Sequence, residues 1–196
     1  TGIDTLSLFG TSCHFRIDEF FPIPTKRKVF YKSIFAELLW MLSGSTNIND
    51  LNALGSKIWD FWKDPEFELR NGYNDGDLGP IYGHSFRHFG VPYSFRNIKG
   101  DMIYGASLKS RGVDQVSYLI DELKRDKYSR RALINLWDPA VMTTDQVKLP
   151  CCHYSFQVTV INNKLNLLWN QRSIDVALGL PFNIASYALL LHLLCL

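Results

Sequence analysis

The sequence predicts an α+β fold in which helices pack on a mostly antiparallel β-sheet. Three observations predict it. Apolar residues recur at helical spacing in the first half, strand-like runs dominate the second half, and stretches rich in Gly, Asn and Asp separate them. Of the 196 residues, 46% are hydrophobic and 20% are charged, which is typical of a folded globular domain rather than a disordered chain.

The first half predicts one strand and two helices. Residues 5–16 alternate loosely between apolar and polar types, which predicts a strand. Apolar residues recur through residues 28–43, which predicts a mostly buried helix with Gly44 as its C-terminal cap. Residues 113–125 predict a second helix with one apolar face. Residues 64–110 are expected to form loops with short elements.

The second half predicts the sheet. Residues 133–137 form a short apolar run, and residues 154–161 and 164–169 are strand-like. An Asn-Asn pair separates the last two runs and predicts a two-residue hairpin turn. Pro181 is expected to open a helix that continues to the end of the chain, because proline is tolerated in the first helical turn.

The charge, the cysteine content and the ends of the chain argue against a nucleic-acid-binding, a disulfide-rich and a membrane protein. A formal net charge of +2 predicts no nucleic-acid surface, so any anion site must be local. The four cysteines do not form a disulfide framework at this length, which favours the reducing cytoplasm. The Leu-rich end is too short to span a bilayer, and no membrane contact is expected. We expect one domain over residues 1–196, truncated at both ends.

Cys152 is a candidate nucleophile. A cysteine attacks carbon only as its thiolate, and His153 or Arg172 could raise the thiolate fraction. The alternative is a small buried hydrophobe, which is the commoner role of a cysteine beside a strand. These residues alone leave Cys151 and Cys152 as equivalent candidates. No metal site is expected, because the consecutive side chains 151–153 cannot easily converge on one tetrahedral ion.

Three other features have two interpretations each. Glu37 lies within an apolar helix, and burial would raise its pKa towards a useful acid–base range. Arg130 and Arg131 are either a solvated surface pair or a phosphate clamp. Trp59 and Trp62 are either part of the core or a flat platform for a ring-shaped ligand.

Over almost its whole length the chain closely resembles the thymidylate synthase family. The run from Gln171-Arg172-Ser173 to Tyr187 is highly specific to that family. Further ordered matches lie at residues 2–9, 35–40, 44–47, 58–60, 76–83, 112–115, 129–131 and 149–153. The resemblance implies a single domain with a large mixed, mostly antiparallel sheet packed by helices, and with one sheet face used for dimerisation. It also implies a ribose-binding segment and a lid beyond residue 196.

The implied activity is the reductive methylation of dUMP to dTMP, with 5,10-methylenetetrahydrofolate as co-substrate. Cys152 would add to C6 of the uracil ring, and C5 would then attack the folate methylene. One alternative is a catalytically incomplete dimerisation or nucleotide-binding module. Another is a relative that hydroxymethylates dCMP, in which an aspartate replaces Asn183. A carboxamide supplies both a donor and an acceptor, which suits uracil.

The resemblance also implies a role for each matching residue. Catalysis would involve Cys152, Glu37, Tyr82, His153 and Arg172. In a homodimer, the partner's copies of Arg130 and Arg131 would bind the phosphate of dUMP, with Gln171, Arg172, Ser173, Asp175 and Asn183 completing the nucleotide site. The reduced folate would contact Ile58, Trp59, Trp62, Asp175, Leu178, Gly179 and Phe182. The family usually has proline where this chain has Cys151.

Overall fold

A computed structural model describes residues 5–93 and 112–196 of the chain. Over these residues, seven α-helices surround an antiparallel sheet of three strands in the order β1-β2-β3. The α+β prediction is therefore confirmed. The sheet of the described residues is smaller than the large mixed sheet that the resemblance implies.

The first half is helical. Its elements are α1 (Tyr31–Leu42), α2 (Ile48–Ala53), a 3-10 turn (Asp60–Trp62), α3 (Pro65–Asn71) and α4 (Tyr82–Arg87). The predicted end of α1 is confirmed, because Gly44 has φ +86° and its N–H donates to the Met41 carbonyl at 3.1 Å. The helix starts three residues later than predicted, after Phe30, whose side chain makes no capping hydrogen bond.

The strand predicted over residues 5–16 is wrong. This segment has no regular secondary structure. The side chains of Leu6 and Phe9 are fully exposed to solvent. A strand needs a hydrogen-bonded neighbour to be stable, and none of the three described strands pairs with this segment. The alternation of residue types therefore did not correspond to a buried face.

The second half contains the sheet. Its elements are α5 (Gln115–Arg125), β1 (Leu133–Asn135), α6 (Pro139–Met142), β2 (His153–Ile161), β3 (Lys164–Gln171) and α7 (Leu180–Leu194). The hairpin between β2 and β3 is confirmed, because Asn162 and Asn163 have φ of 51° and 59°. Positive φ at both positions is typical of a type I′ turn, whose twist matches that of the strands.

The sheet has one buried face and one exposed face. Ile134, Phe156 and Val158 are at most 1% exposed and belong to the same core as Trp40 of α1. α7 contacts both α1 and β3, so it crosses the buried side near the end of the sheet. Leu168 on the opposite face is 63% exposed. The site described below lies where α1, α4, α7 and the ends of β2 and β3 meet.

Candidate active site

The paired ends of β2 and β3 bring Cys152 and Arg172 together. His153, which opens β2, pairs with Gln171, which closes β3. One residue further out, the N–H of Arg172 donates to the carbonyl of Cys152 at 2.9 Å. Antiparallel pairing thus makes neighbours of two residues that are twenty positions apart. The two residues that carry the predicted thiol and guanidinium are therefore bonded to each other through their main chains.

Main-chain carbonyls hold the guanidinium of Arg172. Its Nε donates to the carbonyl of Cys151 at 2.9 Å, and its Nη2 donates to the carbonyl of Pro150 at 2.8 Å. The group also lies over the ring of Trp137, 5.3 Å from its centroid. Within residues 5–93 and 112–196, no carboxylate forms an ion pair with Arg172. Its positive charge therefore stays available to a thiolate or to an anionic ligand.

The two adjacent cysteines have different environments. Cys151 is fully buried, and this burial raises the pKa of its thiol well above the usual range. Cys152 is half-buried, and its N–H donates to Oη of Tyr82 at 2.7 Å. A nucleophile must reach its substrate, and thiolate character requires a low pKa. Accessibility therefore favours Cys152 over Cys151.

His153 is held in a stack of aromatic side chains. Its ring lies 4.2 Å from that of Tyr82 with an interplanar angle of 16°, and its Nδ1 lies 2.8 Å from Oη of Tyr187. Tyr187 in turn stacks on Trp169 at 5.0 Å. Burial lowers the pKa of His153 to about 3, so the imidazole is neutral at physiological pH. This ring cannot be the cation that activates the thiol.

Glu37 is anchored by Trp59 and faces a cavity. Nε1 of Trp59 donates to Oε1 of Glu37 at 2.6 Å. Burial raises the pKa of Glu37 to about 7, against the opposing effect of this hydrogen bond. The cavity is lined by Glu37, His153, Asn183, Ser186, Tyr187 and four apolar residues. The structure thus brings together three of the predicted site residues, Glu37, His153 and Asn183.

Tyr187 and Trp137 also contribute to the site, although the sequence did not predict a role for either. Tyr187 follows Asn183 by four residues in α7, so one helical face presents both side chains. That four-residue spacing could have predicted that Tyr187 faces the site. Nothing in the sequence predicted the position of Trp137, because only the tertiary structure places its ring beneath Arg172.

The loop before α7 is shaped by Asp175. Its Oδ1 accepts the N–H groups of Ala177 and Leu178 at 2.8 and 2.7 Å, and its carbonyl accepts the N–H of Gly179 at 2.9 Å. The turn leaves the Leu178 side chain 62% exposed. At the start of the loop, Gln171 donates its amide N–H to the carbonyl of Ser173 at 3.0 Å.

The remaining predicted folate contacts differ in exposure. Trp59 is 9% exposed and Ile58 is 39% exposed. Trp62 and Phe182 are half-buried, the former at the end of the 3-10 turn and the latter in the first turn of α7.

Arg130 and Arg131 lie away from Cys152 of the same chain. They directly precede Ala132, whose carbonyl accepts the N–H of Val158 at 2.9 Å. Val158 is six residues from Cys152 along β2, which corresponds to about 20 Å at roughly 3.3 Å per residue. Both arginines are exposed. An arginine side chain cannot cover that distance, so the pair does not complete its own chain's site.

In the part of the chain that the structure describes, no group of three or more His, Cys, Asp or Glu side chains is arranged to hold a metal ion. None of the helices there combines the length and the apolar character needed to cross a bilayer.

A protein-family model described as thymidylate synthase matches residues 1–196, the whole chain. The chain belongs to the thymidylate synthase family. A curated relative, the thymidylate synthase of Human herpesvirus 8 type P (isolate GK18), is 41% identical over 197 residues, which cover 99% of this chain and 56% of the relative. The chain thus spans a little over half the length of that relative.

Membership of the thymidylate synthase family confirms the resemblance seen in the sequence. The match includes both segments on which the resemblance chiefly depended, residues 149–153 and 171–187. In the fold, these segments form the start of β2, the end of β3 and the loop into α7. The blocks most typical of the thymidylate synthase family therefore coincide with the strand ends that carry Cys152, His153 and Arg172 and with the helix that carries Asn183.

Proposed function

We propose that this chain carries the catalytic centre of a thymidylate synthase, which converts dUMP to dTMP with 5,10-methylenetetrahydrofolate. The observation that carries the proposal is the accessible thiol of Cys152 beside a guanidinium, that of Arg172, without a carboxylate partner in the described residues. A cationic neighbour stabilises the thiolate that must attack, and a free guanidinium binds phosphate.

The reaction begins with addition of the Cys152 thiolate to C6 of the uracil ring. The electron pair of the C5–C6 double bond moves towards O4, which makes C5 nucleophilic. C5 would then bond to the one-carbon unit, and loss of the C5 hydrogen as a proton would break the bond between that carbon and the folate nitrogen, which releases tetrahydrofolate and leaves an exocyclic methylene on C5. A hydride from tetrahydrofolate would then add to this methylene as the Cys152 thiolate leaves C6, which gives dTMP and dihydrofolate. The folate co-substrate supplies both the carbon and the hydride.

Asn183 selects the base in this proposal. Its Oδ1 accepts the N3–H of uracil and its Nδ2 donates to O4, a pair of bonds that an ionised carboxylate could not make. Asn183 lines the same cavity as Glu37 and His153. This arrangement supports recognition of the base by a carboxamide on α7, which favours dUMP over dCMP.

Glu37 and Tyr82 organise the water molecules that transfer protons near the base. The pKa of Glu37 is raised to about 7, so it can both give and take a proton at neutral pH. Burial holds the pKa of Tyr82 well above its usual value, so its hydroxyl keeps its hydrogen. That hydroxyl accepts the N–H of Cys152 at 2.7 Å and is thus fixed beside the nucleophile.

The residues assigned to the folate fit a flat, partly apolar ring system. Trp59 is oriented by Glu37, and Ile58 and Leu178 keep apolar surface in solvent. In the described residues Oδ2 of Asp175 has no hydrogen-bond partner, so it can accept an N–H of the pterin. Trp62, Gly179 and Phe182 complete the set that would hold the co-substrate.

The same proposal makes the protein a homodimer. Leu133, Ile161 and Leu168 leave apolar surface exposed on the outer side of the sheet, at 46%, 55% and 63%. Two copies packed by this face through a two-fold axis would bury it. Arg130 and Arg131 are too far from their own Cys152 and are exposed, which supports a role in the partner's phosphate site.

A cytoplasmic location is part of the proposal. Its support is that all four cysteines, Cys13, Cys151, Cys152 and Cys195, are free thiols. Free thiols persist in a reducing compartment.

Turnover tests the proposed function directly. With dUMP and 5,10-methylenetetrahydrofolate, we expect dTMP and dihydrofolate to form in equal amounts. Cys152→Ser should abolish this activity, while Cys13→Ser, at an exposed thiol outside the site, should retain it. Binding of dUMP without turnover by the wild type would instead support the nucleotide-binding module. Faster turnover of dCMP would support the hydroxymethylase.

A further inference from the structure

Tyr187 and His153 are joined by one hydrogen bond whose direction determines the chemistry of the cavity. Oη of Tyr187 and Nδ1 of His153 lie 2.8 Å apart, and both residues line the cavity. The heavy-atom positions allow two assignments of the hydrogen atoms. Either the tyrosine donates to Nδ1, which places the imidazole hydrogen on Nε2, or Nδ1–H donates to the tyrosine.

The surroundings favour the tyrosine as the donor. Tyr187 is 7% exposed, and Nδ1 of His153 is the single hydrogen-bond partner of its hydroxyl among the described residues. If Nδ1 were the donor, the hydroxyl hydrogen would be buried without an acceptor, which proteins strongly disfavour. Burial also raises the pKa of Tyr187, so the hydroxyl retains its hydrogen.

The opposite nitrogen of His153 is free to meet a ligand. Within residues 5–93 and 112–196, Nε2 makes no hydrogen bond, yet it is not among the fully buried polar atoms that lack a partner. It therefore reaches open space, and the space that His153 lines is the cavity shared with Glu37 and Asn183. The aromatic stack fixes the ring plane, since Tyr82 lies 4.2 Å away on one side.

We infer that Tyr187 is a positioning residue, which holds His153 in the tautomer protonated on Nε2 and thereby presents an N–H donor to an acceptor oxygen of the bound pyrimidine. This inference rests on the proposed function for the identity of the ligand. The hydrogen bond from Tyr187 fixes the tautomer of the imidazole, and the stack on Tyr82 fixes the orientation of its ring. Trp169, stacked on Tyr187 at 5.0 Å, fixes the tyrosine in turn.

Nitrogen NMR of the histidine rings tests the inference without catalysis. The chain has five histidines, and the signals of His153 are assigned by their loss in His153→Gln. In the free wild type we expect a protonated Nε2 and an unprotonated Nδ1 that accepts a hydrogen bond. A protonated Nδ1 would overturn the inference. Addition of dUMP should shift the Nε2–H signal, and dUMP bound without such a shift would also overturn it.

Tyr187→Phe separates positioning from a structural role. The variant keeps the ring on Trp169 and removes only the hydroxyl. We expect the Nδ1 signal to lose its hydrogen-bond shift, and kcat to fall about fivefold to tenfold with KM for dUMP nearly unchanged. The control is Tyr73→Phe, which removes a hydroxyl bonded to the Gln146 carbonyl at 3.0 Å, away from the cavity, and should change neither reading. An unaltered Nδ1 signal in Tyr187→Phe would contradict the inference.

The outcomes distinguish this inference from the proposed function. If the protein turns over dUMP but His153 is protonated on Nδ1, only the inference fails. If no dUMP binds or reacts, the proposed function fails, and the tautomer of the free protein still decides the role of Tyr187.

Discussion

Nε1–H of Trp59 donates a hydrogen bond of 2.6 Å to Oε1 of Glu37. The bond ties α1 to the N-terminal end of the 3-10 turn Asp60–Trp62. It joins a residue assigned to proton transfer with one assigned to the folate pocket. Folate binding and the ionisation of Glu37 should therefore be coupled in the proposed enzyme.

Glu37→Gln is expected to remove a pH dependence of stability. Burial raises the native pKa of Glu37 from 4.5 to about 7, so between these values the native state binds more protons than the unfolded state. The contribution of Glu37 to stability is thus full below its unfolded pKa and is lost as the pH rises through 7. Glutamine does not titrate and still accepts the hydrogen bond from Trp59.

Between about pH 5 and about pH 8, the wild type should therefore lose on the order of 2 kcal/mol of unfolding free energy relative to Glu37→Gln. Urea unfolding of both proteins at the two pH values measures this difference. Parallel pH dependences would show that the Glu37 carboxyl is not perturbed in the native protein.

Asn183→Asp is expected to shift substrate preference from dUMP towards dCMP. An ionised aspartate only accepts hydrogen bonds, which suits the amino group of cytosine and opposes O4 of uracil. Loss of a paired donor and acceptor should lower kcat/KM for dUMP by about a hundredfold. Steady-state kinetics with both nucleotides measures the ratio.

The matched control for this change is Asn163→Asp in the hairpin turn, where φ is 59° and aspartate also tolerates the left-handed conformation. It introduces the same charge far from the cavity. An unchanged dUMP/dCMP ratio in Asn183→Asp would remove Asn183 from base selection.

Arg130 and Arg131 are expected to act across the dimer, which subunit complementation can detect. A double variant with Ala at both positions and a Cys152→Ser variant should each be inactive alone. After mixing and exchange of subunits, half of the dimers are mixed, and each has one intact site. The mixture should recover about a quarter of wild-type activity. Activity no higher than that of the separate variants would place the arginines elsewhere.

The parts of the fold that were predictable depend on local interactions. The end of α1 at Gly44 follows from positive φ at one position, and the hairpin follows from two consecutive asparagines. The strand expected at residues 5–16 failed because a strand depends on a distant partner that the alternation of residue types does not reveal.

In the site, too, the residues in distinctive local runs were predictable, and the contacts between distant segments were not. Cys152, Arg172 and Asn183 were recognisable because they lie in conspicuous runs of the sequence. The side chains that pack against these site residues were not recognisable from the sequence. Trp137 beneath Arg172 and Trp169 against Tyr187 are contacts between segments that are distant in the chain. The resemblance already assigned the attack to Cys152, and the structure adds that the two adjacent thiols differ in burial.

The most direct test of the central claim is the site of covalent attachment of 5-fluoro-dUMP in the presence of 5,10-methylenetetrahydrofolate. Fluorine replaces the C5 hydrogen that must leave as a proton, so the reaction should stop with the nucleotide bonded to the attacking sulfur. Trypsin leaves both cysteines in one peptide, residues 149–164, so fragment-ion mass spectrometry must locate the adduct. We expect an adduct on Cys152 that is absent in Cys152→Ser and retained in Cys13→Ser. An adduct on Cys151, or one that survives Cys152→Ser, would contradict the role of Cys152 as the nucleophile.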